Sequence, residues 1–298
     1  MKNGRMINIA LVVVFAASIL KTVSDKERDL LSVESIEIKS EKMKKPKKIV
    51  FLSDLHDKEF GDGNTRLIKE VAGLKPDMIL IGGDTMNVRR GKLSLRVTEE
   101  LLRNLTGIAP VCYGNGNNEQ RMIWEKETFG DTIDQFYEIL KKYHVHYLSD
   151  SFADIGNIRI SGIDLKISHY NKLVYEKLTK EYLNDHIGAA DLTKFNILLC
   201  HSPSFLEACS EWGADLVLSG HAHGGTIRFP TDWRKKPGKI DNDRGLISSQ
   251  LRLFHKYCAG VFQRGRTCMI VSRGLGTHTV NIRINNKPQI VVVNLMSE

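Results

Sequence analysis

The stretch KKIVFLSDLH, Lys47 to His56, decides how this chain folds. Its centre, IVFL, is an unbroken apolar run, the pattern of a strand buried on both faces. The run stops at a carboxylate and an imidazole, Asp54 and His56. The same arrangement recurs along the chain. DMILIGGD ends on Asp84, and APVCYGNGNNE ends on Asn115, Asn117, Asn118 and Glu119. FNILLCHSP carries His201, and ADLVLSGHAHGG carries His221 and His223. Between the early runs lie segments with helical spacing: NTRLIKEVAGLK, which halts at Gly73 and Pro76, then LSLRVTEELLRNLTGI and TIDQFYEILKKYHV. Strand alternating with helix predicts a layered α/β architecture.

The second half reads as strand-rich, through IRISGIDL, FNILLCHSP, ADLVLSGHAH, CMIVSRG, TVNIRIN and QIVVVNL. There is no internal repeat and no low-complexity tract. RFPTDWRKKPGKIDNDRG, residues 228–245, is too polar for core and too long for a tight turn, which marks a functional or mobile loop.

At 298 residues and 42% hydrophobic content the chain can bury a sizeable core. A net charge of +8 suits an anionic substrate, an anionic membrane surface or nucleic acid. Nucleic acid is the weakest of the three, since there is no zinc-finger spacing and no aromatic and basic interleaving. Cys112, Cys200, Cys209, Cys258 and Cys268 are odd in number and lack CxxC spacing, so they read as mostly free thiols in apolar strands. At the N-terminus, Lys2 and Arg5 precede MINIALVVVFAASIL. An apolar core of about 14 residues is short for a full span and suits a signal peptide or signal-anchor. The positive N-side favours an exported body. The expected organisation is 1–23 as signal-anchor or signal peptide, 24–46 as tether and edge strand, and 47–298 as the folded domain.

Each polar motif has an ordinary reading: Asp54 as a helix cap, Gly-Gly-Asp as a turn, His201 as a buried core histidine, His221 and His223 as turn residues. In order at five strand ends, they suit a two-metal centre instead. Carboxylates and imidazoles together hold divalent transition metals, and paired cations clamp a phosphoryl group and activate water.

SDLH, GGD, GN-x-E, CHSP and GHAHGG resemble the blocks of the calcineurin-like metallophosphoesterase family, and VSRGLGTHT is similar to its bacterial, often membrane-tethered branch. The resemblance runs from about residue 47 to the C-terminus. It implies a four-layer αββα sandwich of two mixed sheets flanked by helices. It also implies two divalent ions (Mn, Fe or Zn): Asp54, His56 and His223 on the first, Asp84 bridging, and Asn117, His201 and His221 on the second. Attack by a metal-bridged hydroxide on a phosphodiester or pyrophosphate bond follows from the same resemblance, with a membrane-lipid-linked substrate among the options.

The family block normally continues Gly-Asn-His. Here Asn118 stands at the catalytic histidine position, so metal binding is expected to be full and turnover weakened, because an amide cannot deliver a proton. A register with Asn115 as ligand puts Gly116 at that position and also lacks the histidine; Asn117 is preferred because Glu119 then meets the family's acidic position.

Asp57 reads as support for His56 or a solvated carboxylate, Asp164 as structural, and His278 as a possible substrate contact. Arg228, Arg234, Lys235, Lys236, Lys239 and Arg244, with Trp233, form either a solvated loop or a headgroup-binding one. The leading expectation is a cell-membrane hydrolase with an extracytoplasmic domain and no obligate protein partner. Its rival is a metal-loaded protein that binds phosphorylated headgroups without turnover.

Overall fold

The computed structural model describes residues 15, 18–89, 93–170, 176–228, 257–277 and 280–298. Among the described residues, twelve strands form two six-stranded sheets. The first has the order β1 (Ser32–Lys39), β12 (Gln289–Met296), β2 (Lys47–Leu52), β3 (Met78–Ile81), β4 (Val111–Gly114), β5 (His146–Leu148). The second has the order β10 (Gly260–Arg264), β11 (Thr267–Val271), β9 (Leu216–Ser219), β8 (Phe195–Leu199), β7 (Ile158–Gly162), β6 (Ser151–Ile155). Both are mixed: β12 pairs antiparallel with β2, β10 with β11 and β6 with β7, and the remaining neighbours run parallel.

Side chains alternate between faces along each strand, and that alternation builds the layers. Ile49 and Phe51 of β2, with Met78 and Leu80 of β3, meet Ile197 and Leu199 of β8 and Leu216 and Leu218 of β9 between the sheets. Val50, Leu52, Ile79 and Ile81 point the other way. They pack on α1 (Thr65–Leu74), α2 (Arg96–Leu105) and α5 (Thr132–Lys142); α3 (Asn117–Trp124) and α4 (Lys126–Phe129) come between α2 and α5 in the chain. Leu198, Val217 and Met269 cover the outer face of the second sheet against α6 (Lys180–Ile187) and α7 (Leu206–Trp212). The result is the expected helix–sheet–sheet–helix sandwich.

Several readings of the second half change. TVNIRIN does not form a strand among its described residues; it makes a single bridge, Ile227 to Ile284. Arg283 is drawn inward instead and donates to the backbone carbonyls of Arg273, Gly274, Gly276 and Asn286. The helices α6 and α7 carry no clear signal in the apolar pattern. Cys112, Cys200, Cys209 and Cys268 are free thiols, and of the five cysteines only Cys112 and Cys268 lie in strands. Residues 18–27 are helical, and among the described residues no helix is long and apolar enough to cross a membrane.

Candidate metal centre

The ligand candidates stand where β2, β3, β4, β8 and β9 end. All five strands run parallel within their sheets, so their C-terminal loops share one crevice. Asp54, His56, Asp84, His221 and His223 all have positive φ, between 49° and 64°. Non-glycine residues rarely adopt that conformation, at a cost of about 1–3 kcal/mol each, and such strain collects at functional sites. Here it bends each chain sharply enough to turn a polar side chain back over its strand end.

Asp54 is fully buried. Its carboxylate accepts from Ser53 Oγ at 2.7 Å and from the His221 amide at 3.0 Å. That approach needs Gly220, because a Cβ there would lie 2.3 Å from Asp54 Oδ2. Around Asp54 Oδ1 gather the Nε2 atoms of His223 at 3.5 Å, His201 at 3.8 Å and His56 at 3.9 Å. Asp84 Oδ2 faces His201 Nε2 at 3.5 Å and His56 Nε2 at 3.6 Å. His56 Nε2 and His223 Nε2 face each other at 3.2 Å. On the far side, Asn117 Oδ1 meets His221 Nδ1 at 2.8 Å, and the His221 ring lies 5.4 Å from that of His201.

Second contacts aim these rings. His201 Nδ1 donates to Gly82 O at 2.7 Å and His223 Nδ1 to Gly276 O at 3.2 Å, which leaves each Nε2 turned into the cluster. Glu119 ties two ligand loops together: its carboxylate accepts from the amides of Asp84, Thr85 and Gly116 and from Tyr113 Oη.

The electrostatics favour positive charge among these groups. Burial alone would raise both aspartates, yet the imidazoles of His223 and His201 hold Asp54 below its ordinary value, and His201 does the same for Asp84. Burial opposes charge on His201, but Asp84 and Asp54 more than offset it and push the imidazole up to about 10. Burial and the neighbouring His201 push His221 down to about 3, and burial lowers His223. Two ionised carboxylates out of water require a compensating charge.

The donor set fits. Ligand bonds of about 2.1 Å place neighbouring donors roughly 3.0–3.4 Å apart in tetrahedral or octahedral arrangements. The separations here, 3.2–3.9 Å, lie close to that range. Two groups emerge, Asp54–His56–His223 and Asp54–Asp84–His201, so Asp54 is common to both while Asp84 lies between His56 and His201.

The Calcineurin-like phosphoesterase family model matches residues 47–225, the span that contains all seven ligand candidates. The chain belongs to that family. This phosphoesterase is 26% identical to the protein YpbG of Bacillus subtilis strain 168, across 99% of this chain and 98% of the relative. It is 27% identical to a metallophosphoesterase of Aquifex aeolicus, across 94% and 98%. It is 24% identical to the phosphodiesterase YaeI of Escherichia coli K12, across 84% and 83%. The chain is thus a metal-dependent phosphoester hydrolase.

Asn118 is buried in this phosphoesterase and committed on three sides. Its Nδ2 donates to Asp84 Oδ2 and its backbone amide to Asp84 Oδ1, both at 2.8 Å, while its Oδ1 accepts from the Val88 amide at 3.0 Å. Asn115 lies apart from the ligand cluster, donating to Tyr147 Oη and Asp164 Oδ1. Asp164 also accepts from Ser149 Oγ and serves this structural network. Asp57 accepts from the Asn87 amide, so it secures the loop rather than a ligand. Arg228 is buried and donates to Gly224 O, which corrects its reading as part of a solvated or headgroup-binding loop. Trp233, Arg234, Lys235, Lys236, Lys239, Arg244 and His278 lie outside the described residues.

The sequence reading missed Tyr170, whose ring stands 5.1 Å from His221 and 6.3 Å from His201. It also missed Arg283 and Asn286. The latter donates to His223 O and Gly225 O and so fastens the GHAHGG loop from below. Arg283 lies in an alternating segment that reads as a strand, so the sequence carried no signal for this bracing.

Proposed function

We propose that the phosphoesterase cleaves phosphodiester or pyrophosphate bonds, with lipid-linked phosphoesters as its substrate class, at a pair of Mn, Fe or Zn ions. The observation that carries this is the cluster of two buried carboxylates and the buried imidazoles of His56, His201 and His223, with half-buried His221 and Asn117 beside them, at adjoining strand ends. Asp54, His56 and His223 would hold one ion, Asn117, His201 and His221 the other, and Asp84 both. Such ions polarise a phosphoryl group and lower the pKa of a water.

The chain's own residues orient this apparatus. Ser53 and the His221 amide fix Asp54, Gly82 and Gly276 fix the two rings, and Asn118 fixes Asp84. With its amide spent on Asp84 and Val88, Asn118 supplies no proton to a leaving group, so turnover favours substrates whose leaving group departs unassisted. The basic N-terminal flank of Lys2 and Arg5 supports attachment to the cell membrane through the N-terminal segment, with the domain on the extracytoplasmic side.

The Asn118 geometry also favours a second reading, a metal-loaded protein that holds phosphorylated headgroups without turnover. Nitrophenol release from bis(p-nitrophenyl) phosphate with added Mn²⁺ separates the two. Chelator-sensitive release is expected, with Asn118→His raising turnover on diesters of poor leaving groups by roughly 10²-fold or more. Release that chelators do not touch, or none even from Asn118→His, contradicts the proposal.

A further inference from the structure

One buried charge near the metal centre has no carboxylate of its own. Arg283 is fully buried and forms no ion pair among the described residues. Its guanidinium donates only to backbone carbonyls: Arg273 O at 2.9 Å, Gly274 O at 3.2 Å, Gly276 O at 2.5 Å and Asn286 O at 3.1 Å. Its Nε finds no acceptor. Burial and the neighbouring Arg273 lower it to about 9, against the pull of the Asp54 carboxylate. Taking a cation out of water without a paired anion is costly, and groups perturbed in this way concentrate at functional sites.

Three of those carbonyls belong to residues 273–276, and the same segment carries two ligand candidates. The Leu275 amide donates to Ser53 O at 3.0 Å and the Gly276 amide to Asp54 O at 2.6 Å. The approach is so close that a Cβ on Gly276 would lie 2.0 Å from Leu55 O. Gly276 O receives both Arg283 and His223 Nδ1. Asn286, whose carbonyl also serves Arg283, donates to His223 O and Gly225 O. Asp54 and His223 form one ligand group with His56. The ligands assigned to the other ion are aimed by different contacts, His201 by Gly82 O and His221 by Asn117. The VSRGLGTHT motif, which supplies no ligand, therefore has a place: its backbone links Arg283 to one side of the centre.

We propose that Arg283 is a positioning residue for the ion held by Asp54, His56 and His223, acting through the backbone of residues 273–276. This rests on the metal centre proposed above. Two effects oppose each other. The guanidinium repels a divalent ion, so by charge alone its removal would tighten binding. Its hydrogen bonds align the segment that holds Asp54 and His223, so by geometry its removal loosens binding. Asp54 attracts the guanidinium and offsets much of the repulsion, and contacts that orient ligands are worth roughly 10–100-fold in metal affinity. The geometric effect wins.

The full chain is loaded with Mn²⁺, and bound ions are counted by elemental analysis beside electron paramagnetic resonance. The wild type should hold two ions with a spin-coupled signal. Arg283→Ala should lose affinity at one site by roughly 10–100-fold, and the coupled signal should give way to that of an isolated Mn²⁺. Millimolar guanidinium should restore the second ion and the coupling, because a planar cation with N–H groups around its edge serves the same carbonyls. Sodium chloride at the same concentration should not. Arg283→Lys, which keeps the charge but lacks the planar fork, should also weaken one site only. Two ions retained by Arg283→Ala, both lost together, or a loss that guanidinium leaves unchanged in a folded variant overturns the proposal. If Arg283→Ala does not fold, Arg283→Lys decides: one site weakened supports the proposal, and both unchanged or both weakened overturns it. A wild type that does not hold two ions overturns it as well. If the wild type holds two ions and Arg283→Ala loses one, yet no diester is hydrolysed, the Arg283 assignment stands and the proposed phosphoesterase function falls.

Discussion

Single residues in this site act mainly by being held. His201 and His223 each spend Nδ1 on a backbone carbonyl so that Nε2 is committed to the cluster, and Asn118 spends one side-chain N–H on Asp84 and its carbonyl oxygen on the Val88 amide. Asp164 shows the same economy outside the centre. Burial raises its carboxyl to about 6, against the lowering effect of Ser149 and Asn115. A raised carboxyl favours folding while protonated. Its contribution is therefore full below about pH 4, is lost as pH climbs through about 6, and is level above that. A shift of about 2 units bounds the effect at roughly 3 kcal/mol. Asp164→Asn should remove this slope: relative to wild type, urea-unfolding stability should rise between pH 4 and pH 7. Parallel pH profiles for the two proteins would show that Asp164 ionises freely in the fold.

Strands and loops explain why the site was largely legible in the sequence. A parallel strand covered on both faces must be apolar throughout, so β2, β3, β8 and β9 announce themselves and the polar residue that ends each run stands out. The short edge strand β6 alternates half-buried and exposed residues and gives no such signal. Nor does the bracing from below, because Gly82 O, Gly274 O and Gly276 O are backbone acceptors that any residue type would provide. Arg283 could be read only as a strand residue until the carbonyls it serves were seen together. Loop-to-loop contact is also invisible in the sequence yet demanding. Gly83 has φ 84°, and a Cβ there would sit 2.0 Å from the Gly116 amide nitrogen. Gly83→Ala should force the Asp84 and Asn117 loops apart, cutting diester turnover at least tenfold and costing about 1–3 kcal/mol through the strained backbone. Calorimetry and steady-state kinetics measure both effects; unchanged values would mean that the two loops tolerate separation.

At the scale of the molecule, the sandwich brings distant parts of the chain to one crevice. The first sheet delivers Asp54, His56, Asp84 and Asn117, and the second delivers His201, His221 and His223, so the cluster exists only while the inter-sheet core of Phe51, Leu80, Leu199 and Leu218 is packed. β12 then pairs with both β1 and β2, which closes the first sheet and leaves residues 283–286 beneath the metal loops with the N-terminal helix against them. The buried carboxylate common to both candidate ligand groups is Asp54. The most direct test is metal content by elemental analysis of the purified full chain beside Asp54→Ala. Two divalent transition-metal ions per wild-type chain are expected. The variant should retain one or none, with diester hydrolysis reduced by about 10³-fold or more, as expected when a metal that activates the attacking water is lost. A wild-type chain that hydrolyses diesters while binding no metal, or an Asp54→Ala protein that keeps both ions, would contradict the account.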